Sequence, residues 1–389
     1  MSRSYSENRE KVTSKLPSSL RARLKVRAAE HRIGIQDAVT EGIAQWKAEE
    51  RVPMIDTSGA SPFSTWLPLG VYDDFKEQCT VRGISYIQGL AQTISLWLTT
   101  HPSPDKEARM SSPRHRYPQR KIIANQKGGV GKTAVAAGAG QAYAEGPEYE
   151  GFGWRALVVD FDPQGHLTNQ LGIENLPLDS DSLVKHMTGE AKGHIRDLVV
   201  RVDEERFGDR LHVLPSCADG FVLDVKLSTV RAREAALERA LEPLEEAYDV
   251  IIVDCPPSLG LAMDSAIYYG RRRDGEGVGS SGVTIPVQAE DSSADAFTLL
   301  TRQIEDLRED MRLDIDYLGL IVNMYDSRRG FIATSSLESW RAIGDPEVIA
   351  VVPDRKEQRE AVRSKQGLLA YDPKSAQANA MREIARKMS

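Results

Sequence analysis

Between residues 10 and 100 the hydrophobic positions repeat at a spacing of 51 residues without a gap. In each copy an alternating stretch comes first, followed by two segments with helical periodicity. The first copy therefore predicts a short strand and then helices over residues 18–32 and 36–49. The matched positions are Leu16 and Leu67, Leu20 and Val71, Leu24 and Phe75, Ala28 and Cys79, Ile33 and Ile84, Val39 and Leu90, Ile43 and Ile94, and Trp46 and Trp97. The pattern predicts two copies of one strand–helix–helix unit.

From residue 120 onwards, short continuous apolar runs alternate with segments of helical periodicity. A short apolar run without alternation is typical of a strand that is buried on both faces of a sheet. Such strands are predicted at 122–124, 155–161, 211–214, 249–254, 282–287, 315–322 and 347–352. Strands and helices in this order predict an α/β domain with a mostly parallel sheet that helices cover on both faces.

These patterns divide the chain into four parts. Residues 1–50 and 51–100 hold the two small, mainly helical repeats, and residues 120–389 hold the α/β domain. Residues 101–119 contain four prolines and several serines, a composition that is typical of a linker. The linker arginines, which either contact nucleic acid or are simply solvated, are Arg109, Arg114 and Arg116.

The net charge of −7 is distributed unevenly along the chain. Residues 1–51 hold 11 Lys and Arg against 7 Asp and Glu, and residues 101–121 hold 6 against 2. Residues 122–389 hold 31 against 44. Basic N-terminal segments on an acidic body indicate nucleic-acid contact in the N-terminal part, with ordinary surface charge as the alternative.

The composition also excludes several classes of protein. The three cysteines, Cys79, Cys217 and Cys255, lie far apart, which argues against a disulfide framework, a zinc ribbon and an iron–sulfur carrier. There is neither a long apolar run nor a signal peptide, so we expect a soluble, cytoplasmic protein without a membrane partner.

The candidate chemistry begins at residues 120–133, where an apolar run leads into a glycine-rich turn, Gly-Lys-Thr and an alanine-rich segment. This order predicts a phosphate-binding loop (P-loop) between a strand and a helix. Glycines let backbone N–H groups close around phosphate oxygens, and the helix N-terminus adds a partial positive charge. Lys132 is predicted to reach the β- and γ-phosphates, and Thr133 to offer its hydroxyl to Mg²⁺. The predicted loop residues are Lys127, Gly128, Gly129, Val130, Gly131, Lys132 and Thr133.

Carboxylates follow two other predicted strands. Asp160 and Asp162 come at the end of the strand at 155–161, and Asp254 ends the strand at 249–254. Ligands of open α/β sheets bind at the carboxyl ends of the strands, and carboxylates there suit Mg²⁺ and an attacking water. Asp254 is therefore predicted beside the metal, and Asp160 is predicted to be either structural or near the metal.

Three sequence motifs together resemble the ParA/MinD superfamily of P-loop ATPases, which carries a deviant Walker A loop. The loop at 127–133 reads Lys-Gly-Gly-Val-Gly-Lys-Thr, with Gln126 where the standard pattern has glycine. Residues 160–165 read Asp-Phe-Asp-Pro-Gln-Gly, and residues 254–257 read Asp-Cys-Pro-Pro. The resemblance covers nearly all of 120–389.

The resemblance implies an ATPase that uses ATP and Mg²⁺ and closes into a homodimer. It implies that Lys127 reaches across the dimer to the partner's nucleotide, that Lys132 acts in catalysis, and that Asp162 positions the attacking water. Asn323 follows a predicted strand at the place where relatives contact the adenine, although a plain loop asparagine is the alternative.

In ParA relatives the neighbourhood of residues 354–365 supplies arginines for non-specific DNA binding by the ATP-bound dimer. The local sequence lacks the usual Pro-Arg-Asn pattern, so a solvated helix face is the alternative. The candidates are Arg355, Lys356, Arg359, Arg363 and Lys365. Residues 271–282 depart from the family and are predicted to form a flexible inserted loop at the sheet end opposite the nucleotide.

The two N-terminal repeats resemble the ribbon–helix–helix family, whose paired strands lie in the major groove of DNA. Lys11, Thr13 and Lys15 occupy the predicted outward positions of the first strand. The matching positions of the second strand are Pro62, Ser64 and Trp66, so the first strand is expected to dominate DNA reading. A four-helix oligomerisation module without a DNA role is the alternative. Whether the repeats pair within one chain or between chains stays open.

The resemblances together imply a ParA-type ATPase for plasmid or chromosome partition. A centromere-binding, ParB-like partner would stimulate hydrolysis, the protein would associate with the nucleoid, and the N-terminal repeats would bind the operator of its own operon. One alternative is a nucleotide-sensing transcriptional repressor. Another is a MinD-like positioning ATPase, which residues 375–388 disfavour because they lack the large apolar side chains of a membrane helix.

Overall fold

A computed structural model describes residues 9–31, 33–49, 52–101, 117–290 and 292–389. The chain divides into two compact units, Met1–Arg114 and His115–Ser389. Most of the predicted linker, including its three arginines, lies outside the described residues. The bounds of the four parts of the chain given above stay predictions.

Among the described residues, the first unit has two strands and four helices that follow the predicted repeat. Its elements are β1 (Arg9–Pro17), α1 (Ser18–Glu30), α2 (Ile35–Ala48), β2 (Ala60–Pro68), α3 (Val71–Val81) and α4 (Tyr86–Thr100). Val12 and Leu16 of β1 are buried together with Phe63 and Leu67 of β2, as the alternation predicts. The strands therefore have one apolar face, which packs on the helices, and one polar face.

β1 and β2 pair with each other in antiparallel register, so both halves of this unit come from the same chain. Thr13 lies opposite Ser64, and their hydroxyl oxygens are 3.1 Å apart. These two residues are also 51 positions apart and match in the repeat. A pseudo-twofold axis therefore passes between them, as the ungapped repeat requires.

The helices obey the same pseudo-symmetry. Trp46 Nε1 donates to Gln92 Oε1 at 3.1 Å, and Trp97 Nε1 donates to Glu41 Oε2 at 3.1 Å. At the crossing of α2 and α4, a Cβ added to Gly42 would lie 3.0 Å from Thr93 Cγ2, so glycine allows the close approach. The assignment of this unit to the ribbon–helix–helix family stays a prediction.

The second unit contains an eight-stranded sheet with helices on both sides. The strands are β3 (Gln119–Ile123), β4 (Ala156–Asp160), β5 (Val200–Arg201), β6 (Leu211–Leu214), β7 (Val250–Asp254), β8 (Gly282–Gln288), β9 (Tyr317–Tyr325) and β10 (Val348–Pro353). The helices are α5 (Lys132–Ala144), α6 (His166–Gln170), α7 (Leu183–Thr188), α8 (Leu223–Leu227), α9 (Ala236–Glu245), α10 (Leu261–Tyr269), α11 (Ser292–Met311), α12 (Phe331–Ile343), α13 (Lys356–Arg363), α14 (Leu368–Tyr371) and α15 (Ala376–Lys387).

The strand order is β10-β9-β8-β3-β7-β4-β6-β5, and every pairing is parallel except the edge pair β5–β6. The predicted α/β class with a mostly parallel sheet is confirmed. Leu157 and Val159 of β4 pack into the apolar cluster on one face, whereas Ala156 and Val158 pack into the cluster on the other. This two-sided burial explains the continuous apolar runs. No helix among the described residues is long and apolar enough to cross a membrane.

The segment 271–282 enters β8 at the end of the sheet opposite the P-loop, as predicted, but the prediction of a flexible loop is wrong. Glu276 forms a two-point ion pair with the buried guanidinium of Arg120, at 2.9 and 2.6 Å. Arg273 pairs with Glu238 and Glu245 at 2.7 and 2.8 Å. These contacts tie the loop to the core, and its glycine content alone did not reveal them.

Candidate nucleotide site

The P-loop connects β3 to α5 at the carboxyl end of the sheet. Gly129 and Gly131 have φ values of 76° and 88°, in the left-handed region that favours glycine. A Cβ added to Gly131 would lie 1.9 Å from Asn323 Nδ2, so a larger residue here would displace the Asn323 side chain. Backbone conformation therefore favours glycine at positions 129 and 131, and close packing favours it also at 131.

Lys132 is the first residue of α5 and is buried, with its side chain turned into the loop. Its Nζ donates to the carbonyl oxygen of Lys127 at 3.2 Å. Burial lowers the pKa of Lys132, and the carboxylate of Asp254 opposes that shift. Thr133 follows directly in the first turn of the helix. The loop thus surrounds the side chain of Lys132. Phosphate oxygens bound in the loop would take the place of the Lys127 carbonyl as the partner of Lys132 Nζ.

Lys127 lies at the rim of the loop. Its Nζ donates to Ser293 Oγ at 3.3 Å and lies 3.7 Å from Glu290 Oε2. Glu290 also accepts from Arg329 Nη1 at 2.9 Å, which ties the loop to the segment after β9. The backbone N–H of Lys127 donates to Asn125 Oδ1 at 2.9 Å. In a single chain the amino group therefore contacts groups of its own chain.

Asp160 and Asp254 end neighbouring strands, and they face each other in the β4–β7 register. Burial raises the pKa of Asp254 well above its usual range, and the nearby carboxylate of Asp160 adds to the rise. Burial also raises the pKa of Asp160 to about 6, although hydrogen bonds from Thr168 lower it. Within the described residues, neither oxygen of Asp254 nor the Oδ1 of Asp160 has a partner in full hydrogen-bond geometry, although the Thr133 hydroxyl is close enough to Asp254 to lower its pKa.

Asp162 lies in the turn that follows β4 and is also buried. Its Oδ1 accepts from the backbone N–H of Gln164 at 3.0 Å, and its carbonyl accepts from Ser216 Oγ at 2.7 Å. Lys132, Asp160, Asp162 and Asp254 are thus brought to one end of the sheet by strands β3, β4 and β7.

Two residues of this site were missed in the sequence. Thr168 donates to Asp160 Oδ2 through its hydroxyl at 2.6 Å and its backbone N–H at 2.8 Å. Asn125 is fully buried and donates to the carbonyl of Pro286 at 2.7 Å. Both hold the site in shape through hydrogen bonds to other parts of the protein, for which the spacing of the phosphate-binding motif carries no signal.

Asn323 is buried against the P-loop. Its Nδ2 donates to the carbonyl of Val130 at 2.9 Å, and its Oδ1 accepts from the backbone N–H of Met324 at 2.9 Å. The side chain therefore supports the loop in this structure, and its predicted contact with the adenine stays a prediction.

The basic candidates at the C-terminal side lie on and around α13. Their exposed side chains include Arg359, whose Nη1 is 3.2 Å from Asp354 Oδ1, and Lys356, whose Nζ is 3.1 Å from Glu360 Oε1. Exposed pairs of this kind are weak and can exchange partners. The remaining exposed candidates are Arg355, Arg363 and Lys365. In the first unit, Lys11, Thr13 and Lys15 are exposed on the outer face of the ribbon.

Comparison with known proteins gives consistent matches to this second unit. A family model described as an AAA domain matches residues 120–317. The sporulation initiation inhibitor protein Soj of Bacillus subtilis is 30% identical over 274 residues, which cover 69% of this chain and 98% of Soj. The chromosome partitioning protein ParA of Caulobacter vibrioides is 30% identical over 268 residues, which cover 68% of this chain and 92% of that protein.

Among solved structures, a crystal structure of cobyrinic acid a,c-diamide synthase from Mycobacterium smegmatis superposes with a TM-score of 0.53 and 29% identity. The match covers 69% of this chain and 93% of that one. That protein was crystallised with a bound ATP analogue and magnesium.

Proposed function

The chain belongs to the family of P-loop proteins that includes Soj and the chromosome partitioning protein ParA, and from this premise we propose that it is a partition ATPase that moves DNA. The observation that carries the proposal is the group formed by Lys132, Thr133, Asp160, Asp162 and Asp254 at one end of the sheet. Phosphate, a divalent cation and an attacking water are the ligands that such a group suits.

ATP and Mg²⁺ are the cofactors. Orphaned oxygens on two buried aspartates, Asp160 and Asp254, fit a cation that would neutralise and coordinate them, directly or through water. The Thr133 hydroxyl would be the remaining protein ligand of this cation. A metal held there would supply positive charge that stabilises the phosphates. Asp162 would orient the attacking water, and Lys132 would hold the β- and γ-phosphates.

Two chains would close face to face around ATP. In the single chain, Lys127 contacts Ser293 and Glu290 at the rim of the loop. These contacts involve partly exposed groups and are weak. The amino group can therefore exchange them for the phosphates of a second chain's nucleotide, which offer more negative charge. Closure of the dimer would then depend on ATP.

The closed dimer would bind DNA through phosphate contacts from Arg355, Lys356, Arg359, Arg363 and Lys365, without sequence preference and with strong salt dependence. The first unit would bind the operator of the protein's own operon. A ParB-like centromere-binding partner would stimulate ATP hydrolysis and release the DNA, and this cycle would keep the protein on the nucleoid.

One structural observation disfavours a MinD-like membrane switch. The apolar side chains of α15 are buried in the core of the second unit, among them Ala378, Met381 and Ile384. An amphipathic helix that binds a membrane needs its apolar face to be available. Co-sedimentation with anionic liposomes is therefore expected to leave the protein in the supernatant.

Binding of fluorescent random-sequence duplex DNA, followed by anisotropy with ATP, with ADP and without nucleotide, tests the proposal. The natural protein should bind this random-sequence DNA much more tightly with ATP and Mg²⁺ than with ADP or without nucleotide. Lys132→Ala should abolish this binding by removing the phosphate contact. Lys127→Ala should keep ATP binding but weaken DNA binding by about tenfold or more, because a charged hydrogen bond in the dimer is lost. Lys387→Ala, an exposed lysine at the end of α15, is the control.

The same assay identifies the alternative. If DNA binding is independent of nucleotide and unchanged in the Lys127 and Lys132 variants, the protein is a nucleotide-sensing repressor rather than a partition ATPase. Measured ATP turnover that does not respond to DNA would point in the same direction.

A further inference from the structure

The backbone of the ribbon is symmetric about the Thr13–Ser64 pair. Lys11 lies opposite Trp66 and Lys15 lies opposite Pro62. Adding the repeat spacing of 51 to Lys11 gives Pro62, and adding it to Lys15 gives Trp66, so the two flanking pairs exchange under the pseudo-twofold axis. A ribbon with identical strands would therefore present two equal halves.

The side chains on the outer face break this symmetry. At one end, Lys15 lies opposite Pro62, and Arg21 Nη1 is 3.4 Å from the carbonyl oxygen of Pro62. At the other end, Lys11 lies opposite Trp66, whose side chain is 51% exposed. Arg9 lies at the same end as Lys11, and its guanidinium is 2.7 Å from Asp37 Oδ1. One half of the ribbon thus has Lys15 with Arg21 of α1 beside it, and the other has Lys11, an arginine that is paired with a carboxylate, and an aromatic ring.

The flanking helices have opposite charge. The start of α1, residues 18–28, contains four basic residues and no acidic one, and Arg21, Arg23 and Lys25 are exposed. The matching stretch 69–79 contains one basic residue and three acidic ones. These residues are Lys76, Asp73, Asp74 and Glu77. The side of the first repeat therefore attracts phosphates, whereas the side of the second repeat repels them.

We propose that this ribbon binds duplex DNA as a single chain, on a site without twofold symmetry, with the phosphates held mainly on the side of the first repeat. The inference rests on the proposal that the first unit binds DNA, and it adds the class of site. Operator symmetry mirrors the symmetry of the protein that reads it. Because lysine, proline and tryptophan make different contacts with base edges, the two halves of this ribbon select different base pairs.

The test is selection from a randomised duplex library with the full-length protein in the absence of nucleotide. The natural protein should enrich a motif that lacks a dyad, and light scattering should give one chain per duplex. Lys15→Ala should weaken binding to the enriched motif by about tenfold or more, because a charged contact to DNA is lost. Lys387→Ala should leave this binding unchanged.

A symmetrised variant makes the test sharper. Pro62→Lys with Trp66→Lys gives the second strand the same lysine positions as the first, and both sites are exposed, so folding should be retained. This variant should shift the enriched motif towards a palindrome.

Three results would overturn the inference: a palindromic motif for the natural protein, two chains per duplex, or no enriched motif at all. In the last case the unit is an oligomerisation module. ATP-dependent binding of random DNA, measured separately, would then still support the partition function.

Discussion

The buried ion pair between Arg120 and Glu276 allows a test of whether the loop at 271–282 is anchored to the core or flexible. Both side chains are almost fully buried, at 0% and 5% exposure. Arg120 also donates to the carbonyls of Pro118, Tyr269 and Arg271, so all five of its N–H groups have a partner. Removing the carboxylate leaves a buried cation with only neutral partners.

Breaking one side of a buried pair costs about 3–5 kcal/mol. Since Gln keeps one acceptor, we expect Glu276→Gln to lower the free energy of unfolding of the second unit by about 3 kcal/mol. For a unit of this size the loss corresponds to a melting temperature lower by about 6–12 °C. Denaturant unfolding measures the free energy, and trypsin cleavage after Arg271, Arg272 or Arg273 should become faster. ATP turnover at moderate temperature should not change, because the pair lies at the sheet end opposite the P-loop.

Two further variants make the result interpretable. Glu360→Gln changes an exposed pair with Lys356, so its cost should be below about 1 kcal/mol. Replacing both Arg120 and Glu276 by Met should cost less than Arg120→Met alone, because no charge is then buried without a partner. The reasoning is refuted if Glu276→Gln is as mild as Glu360→Gln.

Three other predictions concern single residues. Burial lowers the pKa of Lys121 to about 7, so above pH 7 the unfolded chain binds one proton more at this residue, and its contribution to stability should rise with pH by up to about 1.4 kcal/mol per unit. Above about pH 9 the buried thiols of Cys79 and Cys255 oppose this rise, because burial raises their pKa values and the unfolded chain loses their protons first. Urea unfolding between pH 7 and 9 should therefore show the rise, and Lys121→Met should reduce it. Gly42→Val should force α2 from Thr93 and cost the first unit about 1–3 kcal/mol, seen by calorimetry, while unchanged melting would contradict the packing. Asn323→Ala frees the carbonyl of Val130 and should raise the KM for ATP and GTP alike; a loss confined to ATP would instead indicate an adenine contact.

Much of this fold could be predicted because its signals are local. The continuous apolar runs of the central strands follow from burial on both faces, and the repeat of 51 residues follows from two equivalent halves. The short edge strand β5 was missed because its two residues, Val200 and Arg201, are exposed and carry no apolar run. The loop at 271–282 was mispredicted since its composition resembles a linker, whereas its order comes from distant partners such as Arg120 and Glu245.

The candidate site divides in the same way. The neighbouring sequence predicts a role for three residues of the site, because a glycine turn or a strand end lies next to each: Lys132, Asp160 and Asp254. Thr168 and Asn125 act through contacts that only the fold creates, such as the bond from Thr168 Oγ1 to Asp160 Oδ2. Sequence motifs thus identify the groups that are proposed to contact the nucleotide and the metal, but not the residues that hold those groups in place.

Because β1 pairs with β2 inside one chain, formation of the ribbon does not depend on the association of two chains. A ribbon made by two chains would exist only above the concentration at which those chains meet. A tether replaces that condition with a fixed effective concentration, set by the connecting residues and independent of how many copies a cell contains. Whole chains can therefore dimerise and dissociate with nucleotide through many cycles while the two strands of the ribbon stay paired. In a ribbon made by two identical chains, every substitution changes both strands at once. In this chain β2 can change while β1 stays the same.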